Sequence, residues 1–483
     1  MTEALLSPAG IDRLRDALLS AGYTDDGIAA RLGPEAVDAV RRNDFRPALR
    51  ATEGGEPVDT LIRLFVCGQT EPEAAIRAAL PEEARRVLVE DNRAAVELEP
   101  YGDWWVVSDV SASLRPGVPL PAEHVLGIGG ASTTLAQATW RRPVGRALDL
   151  GTGCGVQALH LSQHAEAVTA TDLSGRALTF AATTAALSGV SWDLRQGDLV
   201  RPVAGERFDL VVSNPPFVAG PGTTTHTYRD SGRAGDAVCA ELVAAAPALL
   251  NPRGTMQFLA NWLLTADEEW EDRVAGWLAG TGLDAWVIQR EVSDPVAYVD
   301  LWLADSGTTD PRTRARWLDW FEENGVTGVG LGLITLRAGG HEDPTVRLEE
   351  LRQPVEQPLG RHVGRWFERQ DWLRSHDKEG LLKARLTTAP DLALRQDAHR
   401  GPDGWEVDRQ QLALTGGLHW AEEVDPVALA LVGGCDGTVA LRDQLDLLAL
   451  AHGVDVAVLA EVAVPLVSHL VERGFLLPAE ETQ

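Results

Sequence analysis

The strongest constraint on the fold is a regular alternation of short apolar runs and helical stretches that begins near Val144. Each apolar run has the length of a β-strand, and each stretch between runs has the length of a helix. Apolar strands that alternate with helices form a parallel sheet whose two faces are covered. The sequence therefore predicts an α/β fold with a seven-stranded sheet. The predicted strands are Arg146–Leu150, Ala167–Asp172, Ser191–Gln196, Phe208–Ser213, Met256–Ala260, Trp286–Arg290 and Leu331–Leu336.

A chain of 483 residues is long enough for about three domains, and its pattern divides it accordingly. Residues 1–111 predict an N-terminal helical domain ending in a strand pair, either winged-helix-like or a generic helical cap. Residues 112–125 contain three prolines and predict a linker. Residues 126–340 predict the sheet domain, with an insertion at 294–327. Residues 341–483 predict a mainly helical C-terminal domain with a winged-helix-like end.

The composition excludes several classes of protein. The net charge is −28, of which −9 lies in residues 1–125, 0 in 126–265 and −19 in 266–483. This acidity argues against non-specific nucleic-acid binding, because like charges repel and no counterions are released. No apolar run approaches the ~18 residues of a membrane span, and the N-terminus lacks a secretory pattern. Four scattered cysteines without zinc spacing predict a cytoplasmic protein with no metal site.

A glycine-rich loop, Asp-Leu-Gly-Thr-Gly-Cys-Gly from Asp149 to Gly155, follows the first predicted strand. Its alternate glycines let the backbone turn tightly and approach a ligand, with helix N-terminal amides facing that ligand. The second strand ends at Asp172, where a carboxylate can accept from both hydroxyls of a ribose. Asp198 follows the third strand, at a position suited to an adenine amino group. The loop lacks both the GxGxxG spacing of nicotinamide proteins and the lysine of a P-loop.

A second motif, Ser213-Asn214-Pro215-Pro216-Phe217, follows the fourth predicted strand. Ligands of open parallel sheets bind at the carboxyl ends of the strands, so the motif lies where chemistry is expected. Consecutive prolines fix the backbone and remove two donors, which leaves carbonyl groups able to accept. The Asn214 side-chain oxygen and one such carbonyl can hold both hydrogens of an NH2 group, and Phe217 offers a flat face for stacking. The motif therefore predicts a site that orients a planar nitrogen.

These motifs resemble those of the class I S-adenosylmethionine-dependent methyltransferases. The Asn-Pro-Pro-Phe sequence resembles the signature of amino-group N-methyltransferases, which act on release-factor glutamine or on adenine N6 and guanine N2 of RNA and DNA. The resemblance covers about residues 124–265, and it implies a Rossmann-like domain and S-adenosylmethionine as cofactor. It implies catalytic roles for Asn214, the Pro215 carbonyl and Phe217. The cofactor contacts that it implies are Asp149, Gly151, Thr152, Gly153, Gly155, Asp172, Leu173, Asp198, Leu199 and Asn214. The chain departs from the glutamine enzymes, which mostly have Tyr where it has Phe217.

Two segments beside these motifs are further candidates. In related enzymes the segment at Leu126–Thr134 covers the methionine end of the cofactor; the alternative is a flexible linker. The polar segment Thr223–Gly232 follows the second motif and predicts a substrate loop. The predicted substrate contacts are Pro216, Tyr228 and Arg229.

Two substrate classes fit this chemistry. We favour a side-chain amide or amine of a protein or peptide, similar to a glutamine amide, because the acidic flanks suit such a partner better than bare nucleic acid. The alternative is an exocyclic base nitrogen of structured RNA or of DNA, which Arg361, Arg365 and Arg369 at helical spacing support. The same stretch also fits an amphipathic helix with a solvated arginine face. A third hypothesis, a catalytically inactive binding scaffold, is disfavoured by the intact motifs.

Overall fold

The structure, a computed structural model, describes residues 2–115, 117–118, 120–222, 230–305 and 310–479. The chain divides into two compact units. The first comprises residues up to Ala136 and Arg142–Leu351, and the second comprises Gln137–Arg141 and the chain from Arg352 onward. Within the described ranges, no helix combines the length and the apolar character that a membrane crossing needs.

The N-terminal part of the first unit is a group of helices followed by two short hairpins. The helices are α1 (Pro8–Ala21), α2 (Asp25–Leu32), α3 (Pro34–Arg41), α4 (Arg46–Ala51), α5 (Pro57–Leu61), α6 (Glu73–Ala79) and α7 (Glu82–Leu88). A π-helical turn, Ile62–Val66, continues α5. The strands are β1 (Val89–Glu90), β2 (Arg93–Ala94), β3 (Glu97–Tyr101) and β4 (Trp104–Ser108), paired β1 with β2 and β3 with β4. The Thr24 side chain caps α2 by accepting from the Gly27 amide.

An eight-stranded sheet forms the centre of the first unit. Its strands are β5 (Val144–Leu150), β6 (Ala165–Asp172), β7 (Asp193–Gln196), β8 (Phe208–Ser213), β9 (Leu250–Thr265), β10 (Asp284–Ser293), β11 (Val326–Arg337) and β12 (Val346–Glu350). Their order is β12-β10-β11-β9-β8-β5-β6-β7. Strands β5 to β9 pair in parallel, and β11 pairs antiparallel with both β9 and β10. The predicted α/β class is confirmed, and the structure adds β12 to the seven predicted strands.

The register of this sheet brings the two predicted motifs together. Leu150 lies opposite both Thr171 of β6 and Ser213 of β8. Asp172 lies opposite Gln196, the last residue of β7. Because these strands are parallel, the segments that follow them leave the sheet at one edge. The glycine loop, Asp172, Asp198 and Asn214 therefore share that edge.

Helices connect and cover these strands. They are α8 (Gly130–Ala138), α9 (Val156–Leu161), α10 (Gly175–Ser188), α11 (Ala237–Leu249), α12 (Trp270–Leu278), α13 (Pro295–Asp305) and α14 (Pro311–Glu323). Helices α13 and α14 occupy the predicted insertion between β10 and β11. Their buried side chains Tyr298, Trp317 and Phe321 form one apolar cluster with Val218 and Ala219, which follow the second motif. The insertion therefore supports the predicted catalytic loop.

The second unit mixes helices with two small sheets, where the sequence pattern predicts mainly helix. Its helices are α15 (Gly360–Ser375), α16 (Lys378–Lys383), α17 (Pro426–Gly433), α18 (Leu441–His452) and α19 (Val456–Arg473). Its strands are β13 (Arg385–Thr388), β14 (Leu392–Arg400), β15 (Trp405–Leu414), β16 (Ala421–Glu423), β17 (Asp436–Ala440) and β18 (Leu476–Pro478). They form the sheets β17-β13-β18 and β14-β15-β16. The long hairpin β14–β15 is largely exposed, so it lacks the apolar alternation from which a strand could be predicted.

Candidate active site

A cavity of about 250 Å³ lies at the carboxyl edge of the central sheet. Segments that follow β5, β6, β7 and β8 all contribute to its wall, as expected for an open parallel sheet. Most residues predicted from the two motifs line it. These are Gly151, Thr152, Gly153, Asp172, Leu173, Asp198, Leu199, Asn214 and Pro216.

The glycine loop takes the tight turn that its composition predicts. Gly151, Gly153 and Gly155 have φ values of 78°, 56° and 94°, which side chains with a Cβ rarely adopt. Gly155 lies behind the cavity, where a Cβ would approach the Trp192 ring to 2.6 Å. The loop can therefore present its backbone to a ligand on one side while it packs closely on the other.

Asp149 does not line the cavity, but it stabilises the glycine loop through hydrogen bonds. Its buried carboxylate accepts from the Thr152 hydroxyl at 2.6 Å and from the Ala158 amide at 3.0 Å. Burial raises the pKa of Asp149 to about 7, although both hydrogen bonds oppose that shift. Neither Asp149 nor Gly155 lines the cavity, so their predicted cofactor contacts stay predictions, while both residues shape the loop.

Asp172, the last residue of β6, links this strand to the glycine loop. Its carboxylate accepts from the Gly153 amide at 2.9 Å and from the Ser174 amide at 2.8 Å. Burial raises the pKa of Asp172, while these amide hydrogen bonds lower it. Two amide donors leave further lone pairs on the carboxylate, so it can still accept from hydroxyl groups in the cavity.

Asp198 has a partner that the sequence pattern does not predict. The Arg233 guanidinium lies 3.2 Å from the Asp198 carboxylate, and it also pairs with Glu241. Arg233 itself lines the cavity, beside Asp230 and Ser231. It lies 35 residues from Asp198 along the chain, so no local spacing signals the contact.

The Asn214 side chain is the most informative feature of the site. Its Oδ1 atom is buried and accepts no hydrogen bond from any described residue. The preceding Ser213 hydroxyl donates to the Leu150 carbonyl at 2.6 Å, which fixes Asn214 beside the glycine loop. A buried amide oxygen without a donor costs about 1–3 kcal/mol, which a ligand N–H at this position would recover.

The two other predicted catalytic groups, the Pro215 carbonyl and Phe217, have contacts within the protein. Pro215 is buried, and its carbonyl already accepts from the Phe217 amide at 2.7 Å, so one of its lone pairs is occupied. The Phe217 ring does not line the cavity; its centroid lies 6.1 Å from that of Trp302, in an edge-on contact. Phe217 is half-buried, and its predicted stacking on the substrate stays a prediction.

Helix α13 fixes the backbone just after the motif. The buried Tyr298 hydroxyl accepts from the Ala219 amide at 2.8 Å and from the Asn261 side chain at 2.7 Å. These two bonds tie the loop after Asn214 to both the insertion and β9. Tyr298 lies in the insertion with no motif around it, so the sequence offered no signal for this role.

The segment before α8 and the first turn of α8 line another part of the cavity wall. His124, Val125 and Gly127 line the wall, as do Leu126, Gly129, Ala131 and Ser132. Asp109, at the end of the N-terminal hairpin, anchors this segment because its carboxylate accepts from the Val125 amide at 2.9 Å. The same carboxylate pairs with Arg176, whose Nε lies 3.0 Å away.

The predicted substrate loop lies mostly outside the described residues. Tyr228 and Arg229 belong to that part, and so does Thr223. On its two sides, antiparallel bridges pair Phe217 with Asp230 and Pro221 with Ala234. The segments that enter and leave the loop therefore run side by side at the mouth of the cavity.

Comparison with known families agrees with this site. Residues 127–275 match the family model described as the methyltransferase small domain. Residues 20–99 and 364–478 match two models described as domains of unknown function, DUF7059 and DUF7782. The strand order and the cavity together define a class I methyltransferase domain.

Three curated relatives share this region. A release factor glutamine methyltransferase from Deinococcus radiodurans is 32% identical over 277 residues, which cover 54% of this chain and 88% of that enzyme. One from Xylella fastidiosa is 40% identical over 200 residues, covering 38% and 70%. A ribosomal RNA small subunit methyltransferase C from Alcanivorax borkumensis is 34% identical over 117 residues, covering 24% of this chain and about a third, 32%, of that enzyme. The chain belongs to the S-adenosylmethionine-dependent methyltransferases that share the small domain.

Proposed function

We propose that the protein methylates a planar amide or amino nitrogen, and that its substrate is a side-chain amide of a protein, similar to glutamine. The observation that carries the proposal is the buried Asn214 Oδ1 atom, which lacks a donor among the described residues and belongs to a residue that lines the cavity together with Gly151 and Gly153. An NH2 group is the donor that this oxygen can orient.

The residues around the cavity suit S-adenosylmethionine. The Asp172 carboxylate retains lone pairs for ribose hydroxyls, and the backbone of Gly151 and Gly153 lies open to the methionine part. Asp198 can accept from the adenine amino group while it keeps its ion pair with Arg233. When bound, this cofactor supplies an activated methyl group on a sulfonium.

The chain contributes orientation rather than acid–base chemistry. Asn214 holds one N–H of the substrate, so the nitrogen lone pair faces the methyl carbon. After accepting the methyl group that the cofactor would supply, the substrate nitrogen would lose its proton to solvent, so no base from the chain is required. The partial negative charge on the Asn214 side-chain oxygen stabilises the positive charge that develops on the nitrogen. This oxygen is already in place, so no reorganisation is needed at that moment.

Two observations favour a protein amide. Two relatives named for release factor glutamine align over 88% and 70% of their own length, against 32% to 60% for relatives named as the ribosomal RNA enzyme. The flanking regions of this chain are acidic, which disfavours the RNA backbone. The similarity to the ribosomal RNA enzyme makes a guanine or adenine nitrogen the second candidate.

Tritium-labelled S-adenosylmethionine distinguishes these substrates. The full chain is incubated with purified bacterial release factor and, separately, with ribosomal RNA. We expect label in the release factor, released by protease and retained after ribonuclease. Label only in RNA would replace the protein substrate with the second candidate, and binding of the cofactor without label in either would favour the scaffold hypothesis.

Asn214→Ala tests the role of the motif in the same assay. We expect turnover to fall on the order of 10²–10³-fold, the range for loss of one preorganised polar group, while cofactor affinity stays within about twofold. Asn324→Ala is the matched control, because Asn324 is exposed at the end of α14 and lies away from the cavity. Loss of cofactor binding together with turnover would make Asn214 a structural residue.

A further inference from the structure

A second cavity, of about 710 Å³, lies wholly within the C-terminal unit. Its wall consists of one face of α15, the turns before β14 and after β15, and the junction of α19 with β18. This volume falls in the ~300–1,000 Å³ range of small-molecule sites. The cavity lies within residues 364–478, apart from His362, and this range matches a domain of unknown function. The methyltransferase site makes no use of it.

Three arginines surround this cavity. Arg365 and Arg369 lie one turn apart on α15, and Arg473 ends α19. The Arg473 guanidinium carbon lies 4.4 Å from the centroid of the Trp420 ring, and this stacking fixes the plane of the guanidinium. The Arg369 Nε donates to the Glu472 carbonyl at 3.0 Å. Two of the three cations are therefore held in place before any ligand binds.

Arg365 is the cation with spare hydrogen-bonding capacity. Its side chain is exposed and forms no hydrogen bond or ion pair with any residue that the structure describes. The neighbouring Arg361, by contrast, pairs with Glu356 and does not line the cavity. Residues 352–483 carry 13 basic and 21 acidic side chains, so three arginines around one cavity run against the local composition.

His362 lines the cavity, and the pKa of its ring reflects the charges around the cavity. Burial, as the largest cause, and the charges of Arg361, Arg365 and Arg369 together lower its pKa to about 4, against the opposing effect of Glu356. The ring is therefore neutral at pH 7. A site in which several guanidinium groups disfavour another cation favours an anion.

The remaining wall suggests what the anion is attached to. Two carboxylates, Glu368 and Asp391, line the cavity, and Asp391 accepts from the Gly416 amide at 3.2 Å. Leu414, Leu418 and Leu477 add apolar surface. Guanidinium groups match the geometry of phosphate oxygens, and carboxylates accept from hydroxyl groups.

We propose that this cavity binds a small phosphorylated ligand of nucleotide size, with its phosphate on Arg365, Arg369 and Arg473. Hydroxyl groups of the ligand face Glu368 and Asp391, and its apolar face lies on the leucines. The same chemistry could come from a free nucleotide or from the 5′-phosphate end of an RNA, and the probes below distinguish the two.

Calorimetric titration of the full chain with ADP provides the first test, in the presence of saturating S-adenosylmethionine so that the first cavity is filled. We expect one bound ADP, no binding of adenosine, and at least tenfold weaker binding by Arg365→Ala. Lys378→Ala is the control, because Lys378 at the start of α16 pairs with Glu461 and does not line the cavity; this variant should bind within twofold of the native chain. Equal losses in both variants, or binding of adenosine, would overturn the proposal.

A spectroscopic measurement locates the ligand. In the chain labelled with ¹⁵N-histidine, the His362 resonance is assigned by its absence from His362→Gln. We expect its pKa to rise towards the ordinary value of about 6.5 when ADP binds, because the phosphate offsets the guanidinium charges. An unchanged His362 pKa under saturating ADP would place the ligand elsewhere and refute the site.

Two oligoribonucleotides identify the source of the phosphate. Tighter binding of a 5′-phosphorylated oligonucleotide than of ADP, with the same dependence on Arg365, would assign the cavity to an RNA end. Tighter binding of ADP would assign it to a free nucleotide. Equal binding of the 5′-phosphorylated and 5′-hydroxyl forms, together with no binding of ADP, would refute a terminal phosphate as the recognised group.

Discussion

Asp109 links the N-terminal hairpin to the cofactor cavity, and Asp109→Asn should weaken S-adenosylmethionine binding. The carboxylate is about 9% exposed, and it accepts from the Val125 amide and from the Arg176 guanidinium. Asparagine has the same shape but no charge, and it turns a donor towards one of these two donors. The segment from His124 to Gly127 would then lose the anchor that holds it against the cavity.

The size of the effect follows from these contacts. A hydrogen bond to a charged group contributes about 1.5–3 kcal/mol. The Arg176 side chain is 47% exposed, so solvent screens its share of the ion pair. We expect about 2–3 kcal/mol of folding free energy to be lost, and about tenfold in cofactor affinity, which corresponds to about 1.4 kcal/mol.

Asp59→Asn is the matched control for this experiment. Asp59 is fully buried and pairs with Arg31 at 2.6 Å and 2.8 Å, but it does not line the cavity. Calorimetry and denaturant unfolding are measured on both variants. Asp59→Asn should lose stability and keep the cofactor affinity of the native chain. If Asp109→Asn also kept that affinity, the anchoring role of Asp109 would be wrong.

Three further substitutions probe other contacts of the site. Burial raises the pKa of Asp149 to about 7 from an unfolded value near 3.8, so its ionisation lowers the stability of the folded state as pH rises from about 4 to 7. Urea unfolding should show that Asp149→Asn loses less stability over this window than the native chain does. An equal loss in both proteins would contradict the raised pKa. Tyr298→Phe leaves the Ala219 amide without its acceptor, at about 1–3 kcal/mol, so turnover should fall while calorimetry gives an unchanged cofactor affinity; parallel losses would indicate general unfolding. Gly155→Ala combines a φ of 94° with a contact of 2.6 Å to the Trp192 ring, so its denaturation midpoint should report about 2–4 kcal/mol less stability; an unchanged midpoint would mean that Trp192 moves freely.

The sequence was most informative where strands are apolar and followed by motifs. Phe208–Ser213 is predicted with the bounds that the structure has, because its run is apolar apart from Asp209 and Ser213 and Asn214 follows at once. β12 at Val346–Glu350 was missed, since its five residues are mostly charged and only partly buried at the edge of the sheet. Its assignment depends on pairing with β10, which no local pattern encodes.

The same distinction holds in the candidate site. Asn214 and Asp172 lie where motif and strand end coincide, so they could be placed in advance. The contact of Phe217 with Trp302 could not, because Trp302 comes from an insertion 85 residues away along the chain. Arg233 and Tyr298 act through contacts between distant segments, and sequence spacing carries no information about such contacts.

The most direct test of this account is calorimetric titration of S-adenosylmethionine into the full chain and into Asp172→Ala and Asn214→Ala. The account predicts one bound cofactor for the native chain, binding weakened by at least about tenfold, or about 1.4 kcal/mol, in Asp172→Ala, and nearly native binding in Asn214→Ala. Native affinity in Asp172→Ala, or no binding by the native chain, would contradict the assignment of the cavity at the carboxyl edge of the sheet as the cofactor site.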